Sequence, residues 1–181
     1  MPSFSPPPTS SVDEIINWSP SLSVGVPCLD RDHKLLLDFT ERLSGMLLHA
    51  DVQSITCTHA IETLLSIARF HLKREEFLMQ ALRFPERSGH EKVHDGLREW
   101  CENIENTLSN DCQAATLRKK VIFFVATWWV NHIMKQDKEY IPFFASFQEE
   151  TAQAAQAFEE KHQAEWQHIL EALAPYGVSL D

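Results

Sequence analysis

Glycine is scarce in this chain, with five residues in 181, and four of the nine prolines fall within the first eight positions. So few breakers over the remaining length favour helices. Basic residues are also in deficit: 16 Lys and Arg stand against 26 Asp and Glu, for a net charge of -10. Nucleic-acid binding is disfavoured, because phosphate contacts need clusters of Lys and Arg that are missing here. An anionic membrane surface is disfavoured for the same reason. The cysteines (Cys28, Cys57, Cys101 and Cys112) form no C-x-x-C pair, which argues against a zinc knuckle or a thioredoxin-like site. Reduced thiols in a cytosol are expected, with Cys101 an ordinary core residue. Long hydrophobic runs are absent too. The most apolar stretch, VIFFVATWWV at 121–130, is about half the length a membrane-spanning helix requires. No basic-then-apolar signal segment opens the chain, so a soluble, cytoplasmic protein without membrane insertion is expected.

What is present divides into three parts. Residues 1–17 begin MPSFSPPPTSS, a Pro/Ser-rich composition that predicts a disordered or extended segment. From Trp18 to Leu29 the pattern is irregular, punctuated by Pro20, Gly25 and Pro27, as an arm lying across a domain would be. The period then becomes helical, with Asp30 as a plausible N-cap. Four amphipathic stretches follow. The first carries Leu36, Leu37, Phe39, Leu43, Met46 and Leu47. The second, about 54–82, carries Ile61, Leu64, Leu65, Ala68, Phe77 and Leu78. The third, about 86–108, holds Val93, Leu97, Cys101, Ile104 and Leu108. The fourth, about 114–140, holds Leu117, Val121, Phe124, Trp128 and Ile133, and Pro142 should stop or kink it. Short connections between long helices predict an all-α, antiparallel up-down four-helix bundle over 18–145. A further amphipathic helix is expected within 146–181, where Phe158, His162, Trp166, Ile169 and Leu173 recur every three or four positions. Its apolar face requires cover from the bundle, a second copy in a homodimer, or a downstream signalling domain.

Polar residues sit on the faces that should point inward. His33 lies in the first helix; His71 and Glu75, four apart, share a face of the second. His90 and His94 repeat that spacing in the third helix, and His132 and Asp137 lie in the fourth. One histidine on an apolar face is usually a hydrogen-bonded core residue. Five histidines and two carboxylates on four inward faces would leave many buried polar groups unsatisfied, at several kcal/mol each. A metal removes that cost by taking imidazole lone pairs and carboxylate charge together. Seven N/O donors exceed the needs of one tetrahedral zinc and suit two cations of higher coordination number such as iron. One spacing is anomalous: His132 and Asp137 are five apart, about 140° around an ideal helix. A widened π turn near 132–137 would bring both to one centre.

The string HEKVH at 90–94 also matches the H-E-x-x-H of zinc proteases. That reading fails for want of a third ligand. Leu97 and Trp100 occupy the Gly and His positions of the longer form, and no Glu occurs between Glu105 and Glu139. Glu91 is better explained as a solvated neighbour of two ligands.

The chain resembles the hemerythrins, and the bacterial hemerythrin-like domains in particular, over roughly Trp18 to Phe144. The resemblance rests on the arm WSPSLSVGVPCLDRDHKLL with Trp18, Gly25, Asp30 and His33, then H-x-x-x-E at His71 and Glu75, H-x-x-x-H at His90 and His94, and H-x-x-x-x-D at His132 and Asp137. It implies two non-haem iron ions bridged by Glu75, Asp137 and an oxo or hydroxo group. His90, His94 and His132 would complete one iron, and His33 and His71 would ligate the other. The second iron would keep a free position for dioxygen, or for a small anion such as azide or chloride. Leu36, Leu72, Trp129 and Ile133 would wall that position, with Trp128 nearby. Positions 129 and 72 depart from the family, where Leu and Phe respectively are more frequent. His49, His59, His162 and His168 match no ligand position and read as surface residues.

The function implied is reversible dioxygen binding rather than enzymatic turnover, as an oxygen carrier or as an oxygen- or redox-sensing input to a signalling output such as a diguanylate cyclase or chemotaxis receptor. The alternative is a di-iron enzyme, an oxidase or a scavenger of nitric oxide or peroxide. Iron storage and a zinc protease rank below both.

Overall fold

A computed structural model describes residues 17–47, 54–110 and 115–178. The Pro/Ser-rich expectation for the N-terminus, His49 and Cys112 lie outside these residues, as do the side chains of Leu47, Cys57, Leu108 and Leu117. Beyond the arm the described chain is almost entirely helical: α1 (Pro27–Leu47), α2 (Ser54–Leu82), α3 (Arg87–Asn110), α4 (Ala115–His132), a π turn (Ile133–Asp137), α5 (Lys138–Ser146), α6 (Gln148–Lys161) and α7 (Gln163–Leu173). The first four form the bundle, α1 lying against α2 and α4, and α2 against α3. Its core is built from the periodic apolar positions: Leu36, Phe39 and Leu43 of α1, Ile61, Leu64 and Leu78 of α2, Leu97 and Cys101 of α3, and Val121 of α4 are buried. Trp100 of α3 and Phe124 of α4 stack with ring centres 3.9 Å apart. Val93 departs from its expected place in the core, being 36% exposed.

Local signals explain the ends. Pro27 opens α1, three residues before the expected cap. Asp30 is therefore in the first turn, where it faces backward and fastens the arm. Its carboxylate accepts from the Val24 N–H at 2.7 Å and from the Ser23 hydroxyl at 2.6 Å. The arm turns at Gly25, whose φ of +74° is the left-handed region that a side chain disfavours. Helix α2 ends in a Schellman closure. The Phe84 N–H donates to Met79 O at 2.8 Å and the Arg83 N–H to Gln80 O at 3.2 Å, with Arg83 at φ 58°.

Pro142 neither stops the fourth helix nor marks its end: α5 runs through it to Ser146. The predicted widening is present as the π turn over Ile133–Asp137. The fifth amphipathic stretch is two helices rather than one. The chain bends at His162, whose N–H still reaches Phe158 O at 3.0 Å. This bend lets both pieces lie on α2. Phe70 meets Phe158 at 5.4 Å and Trp166 at 5.0 Å between ring centres, and Phe77 meets Phe158 at 5.4 Å. The apolar face of the C-terminal segment is thus covered by the bundle of the same chain. Among the described residues no helix is long and apolar enough to cross a membrane.

Candidate metal centre

All seven candidate side chains meet inside the bundle, none more than 6% exposed. Helical spacing delivers them. Four-residue pairs on α2 and α3 place His71 with Glu75 and His90 with His94 on inward faces, α1 contributes His33, and the π turn carries Asp137 round to His132. Two groups result, one of Glu75, His90, His94 and His132, the other of His33, His71 and Asp137; within each, donor atoms lie within 4.8 Å of one another. Nε2 is the inward atom throughout. His94 and His132 Nε2 are 3.0 Å apart, and His33 and His71 Nε2 are 3.2 Å apart. Donors set at right angles on one ion at about 2.1 Å each would stand ~3 Å apart.

The carboxylates straddle the two groups. Asp137 Oδ1 lies 3.0 Å from His132 Nε2, while its Oδ2 lies 3.4 Å from His33 Nε2, one oxygen per group. Glu75 Oε2 stands 3.1 Å from His94, 3.4 Å from His90 and 3.9 Å from His71. Yet both oxygens of Glu75, both of Asp137 and His90 Nε2 are buried without a closed hydrogen bond. Orphaned polar atoms at this density are foreign to a finished core. A pair of dications would satisfy them all, and the donor set, imidazole and carboxylate without thiolate, suits borderline metals such as iron.

Electrostatics point the same way. Burial and the Asp137 charge pull the His132 imidazole in opposite directions, and the carboxylates win, raising it to about 9. Burial alone would raise Glu75, but His132, His90 and His94 hold it well below its usual range. Asp137 is likewise lowered, by His132 and His33 against burial and the Glu75 charge. His71 goes down, because burial outweighs its carboxylate neighbours.

The surroundings contain residues that the spacing of ligands alone did not mark. His94 Nδ1 pairs with Glu76 Oε1 at 2.7 Å, and Arg98 holds the same oxygen at 2.7 Å. His71 Nδ1 faces Asp32 Oδ2 at 3.5 Å, and Arg74 binds the other oxygen of Asp32. Tyr140 is fully buried beside His90, ring centres 5.9 Å apart; burial and the charges of Asp137 and Glu75 raise its hydroxyl well above 10. Asp32, Arg74 and Glu76 lie next to ligands in sequence, the one signal that could have singled them out. Leu36, Leu72, Trp129 and Ile133 are all buried, and Trp129 stands edge-on to His71 at 5.2 Å. Trp128 stacks on His132 at 4.4 Å. The remaining histidines stay outside. His59 is exposed and pairs with Tyr176 OH at 2.7 Å, His162 lies at the α6–α7 bend, and His168 is exposed. Glu91 pairs with Arg87 at 3.3 Å, both side chains partly exposed.

Comparison with known proteins agrees with this chemistry. A hemerythrin-like protein of Naegleria gruberi is 26% identical over 131 residues, covering 72% of this chain and 95% of that protein. The bacteriohemerythrin of Methylococcus capsulatus is 26% identical over 129 residues (71% and 95%), and that of Clostridium acetobutylicum 24% over 127 (68% and 97%). No solved structure matches the chain. The family profile described as the hemerythrin HHE cation binding domain matches residues 24–144, the arm and bundle that hold every one of the seven donors, and the chain belongs to the hemerythrin family.

Proposed function

We propose that the seven side chains hold two non-haem iron ions and that the protein binds dioxygen reversibly, as a carrier or as a sensing input. The observation that carries the reading is Asp137, which offers one oxygen to each donor group, as a ligand bridging two ions does. Iron in such a site supplies reversible electron transfer and affinity for small ligands such as dioxygen or azide. The protein does the rest. The His33–His71–Asp137 group is one donor poorer than its neighbour, so a small ligand is admitted on that side. Leu36, Leu72, Trp129 and Ile133 wall it with apolar surface and keep water out. Glu75 and Asp137, ionised through the physiological range, offset the charge of two dications. Tyr140 keeps its proton and so can donate to Glu75. Cys28 and Cys101, buried as free thiols, suit the cytoplasm.

Metal analysis with optical spectra of the reduced protein before and after air tests the reading. Two irons per chain and a ligand-to-iron charge-transfer band that appears in air and disappears on deoxygenation are expected. Absence of that band in fully loaded protein ends the carrier reading. Sustained multiple turnover with an added reductant would make the protein a di-iron enzyme instead.

A further inference from the structure

Two of the ligand histidines are backed by the same device, a carboxylate held by an arginine, but the two copies end in different places. Behind His94, Glu76 and Arg98 reach the surface, where Arg98 is 31% exposed and also grips Asp95 at 3.0 Å. Behind His71, Asp32 and Arg74 are sealed, 1% and 0% exposed. Arg74 donates from Nη1 to Asp32 and to Cys28 O at 3.2 Å, while its Nε and Nη2 find no hydrogen-bond partner. Aromatic faces stand in for those partners. The guanidinium carbon lies 5.0 Å from the Phe70 ring of α2, 5.4 Å from Phe158 of α6 and 5.3 Å from Trp166 of α7. Helices α6 and α7 lie beyond the family match, which ends at 144. Exposed pairs reinforce their docking: Arg31 with Glu159 at 2.7 Å and Lys73 with Glu165 at 2.6 Å.

A buried ion pair of this kind contributes little net stability, since an apolar pair of similar volume does as well. Its use must lie in what it touches. His71 Nδ1 and Asp32 Oδ2 are 3.5 Å apart, and neither has a closed hydrogen bond to any other group. A metal on His71 Nε2 makes Nδ1–H a stronger donor, and such outward carboxylates orient the ring and raise ligand affinity.

We propose that Arg74 is a positioning residue for the metal centre and that α6 and α7 are its lid. Arg74 aligns Asp32 on His71, so the docked C-terminal helices set the metal affinity of the His33–His71–Asp137 group. By reciprocity, metal in that group tightens the docking of the helices. This inference rests on the two-metal reading and deepens it: metal occupancy of that group is coupled to the docking of the C-terminal segment through a buried side-chain relay.

The test uses the full chain under anaerobic conditions, titrated with Fe2+ against a competing chelator. Hydrogen exchange of the amides of 148–173 is followed with and without metal. The wild type should load two ions, and loading should slow exchange in 148–173. Arg74→Met should weaken one of the two sites by about 10–100-fold and abolish the metal-dependent slowing, while Arg74→Lys restores part of both. Arg98→Met should weaken the other site and leave 148–173 unaffected. Trp166→Leu serves where Arg74→Met fails to fold, with the same loss at one site and Trp166→Phe as its rescue. Wild-type affinity at both sites in Arg74→Met or Trp166→Leu, or exchange in 148–173 indifferent to metal, overturns the inference alone. A wild type that takes up no second ion overturns the two-metal reading and this inference with it.

Discussion

His132 shows how the ligand cluster behaves before a metal arrives. With Asp137 Oδ1 at 3.0 Å and Trp128 stacked on its ring, it favours the protonated form, and its value rises from 6.5 to about 9. In metal-free protein this interaction stabilises the fold fully below pH 6.5 and is lost as pH rises through about 9. A shift of that size is worth up to about 3 kcal/mol. Glu75 and Asp137, both lowered, stabilise above their ordinary values of 4.5 and 3.8, and that contribution disappears as pH falls through the depressed ones. His71, lowered by burial, acts in the same direction: below pH 6.5 the unfolded chain takes its proton more readily. Thermal unfolding of metal-free protein should therefore peak near neutral pH and decline on both sides. Loading metal should remove the alkaline decline, since the ligands then bind as neutral imidazoles. A metal-free midpoint that stays level from pH 6.5 to 9 would contradict this account of His132.

The π turn is the element on which the fourth helix depends. Asp137 follows His132 by five positions, whereas Glu75 follows His71 by four. The extra residue is absorbed by widening Ile133–Asp137, after which α5 resumes and brings Tyr140 inward. Deleting the exposed Lys135 would leave a four-residue spacing, which an ordinary α-helix also places on one face. That variant should still take up two metals. Inserting one alanine between Gln136 and Asp137 should rotate the carboxylate by about 100° and lose both bound ions. Equal metal content in the two variants would show that the turn does not set the position of Asp137.

Taken whole, the molecule is a bundle with its own C-terminal segment folded back upon it. Phe158 is fully buried between Phe70, Phe77 and the Arg74 guanidinium. Phe158→Ala should cost about 3–5 kcal/mol, the range for truncating a large core side chain, in chemical denaturation of the metal-free protein. A loss under 1 kcal/mol would mean that α6 and α7 are loosely attached, and the docking described above would lose its basis. The covered face also explains why the periodicity within 146–181 did not disclose its partner: an apolar stripe states that something must cover it, but not what.

Legibility followed the range of the interactions. The helices of the bundle and the inward placement of the seven donors could be read from periods of three, four and five residues, because each depends on local geometry and on the cost of burying polar atoms. Even the π turn was legible, as a conflict between a five-residue spacing and an α-helical face. The start of α1 was not, and at Pro142 the sequence left a stop and a kink both open, of which the structure rejects the stop. Asp30 fastens the arm, whereas the sequence suggested a cap, and the chain beyond the π turn stays helical past the proline because Tyr140 and Phe144 are packed inside. The family resemblance, and no periodicity, implied which donors group together and that Asp137 spans the groups; tertiary structure alone decided that Arg74 lies between Asp32 and the C-terminal aromatics. Those facts join residues up to 134 positions apart, Asp32 to Trp166, and no periodicity along a chain encodes a contact that exists only once separate helices have docked.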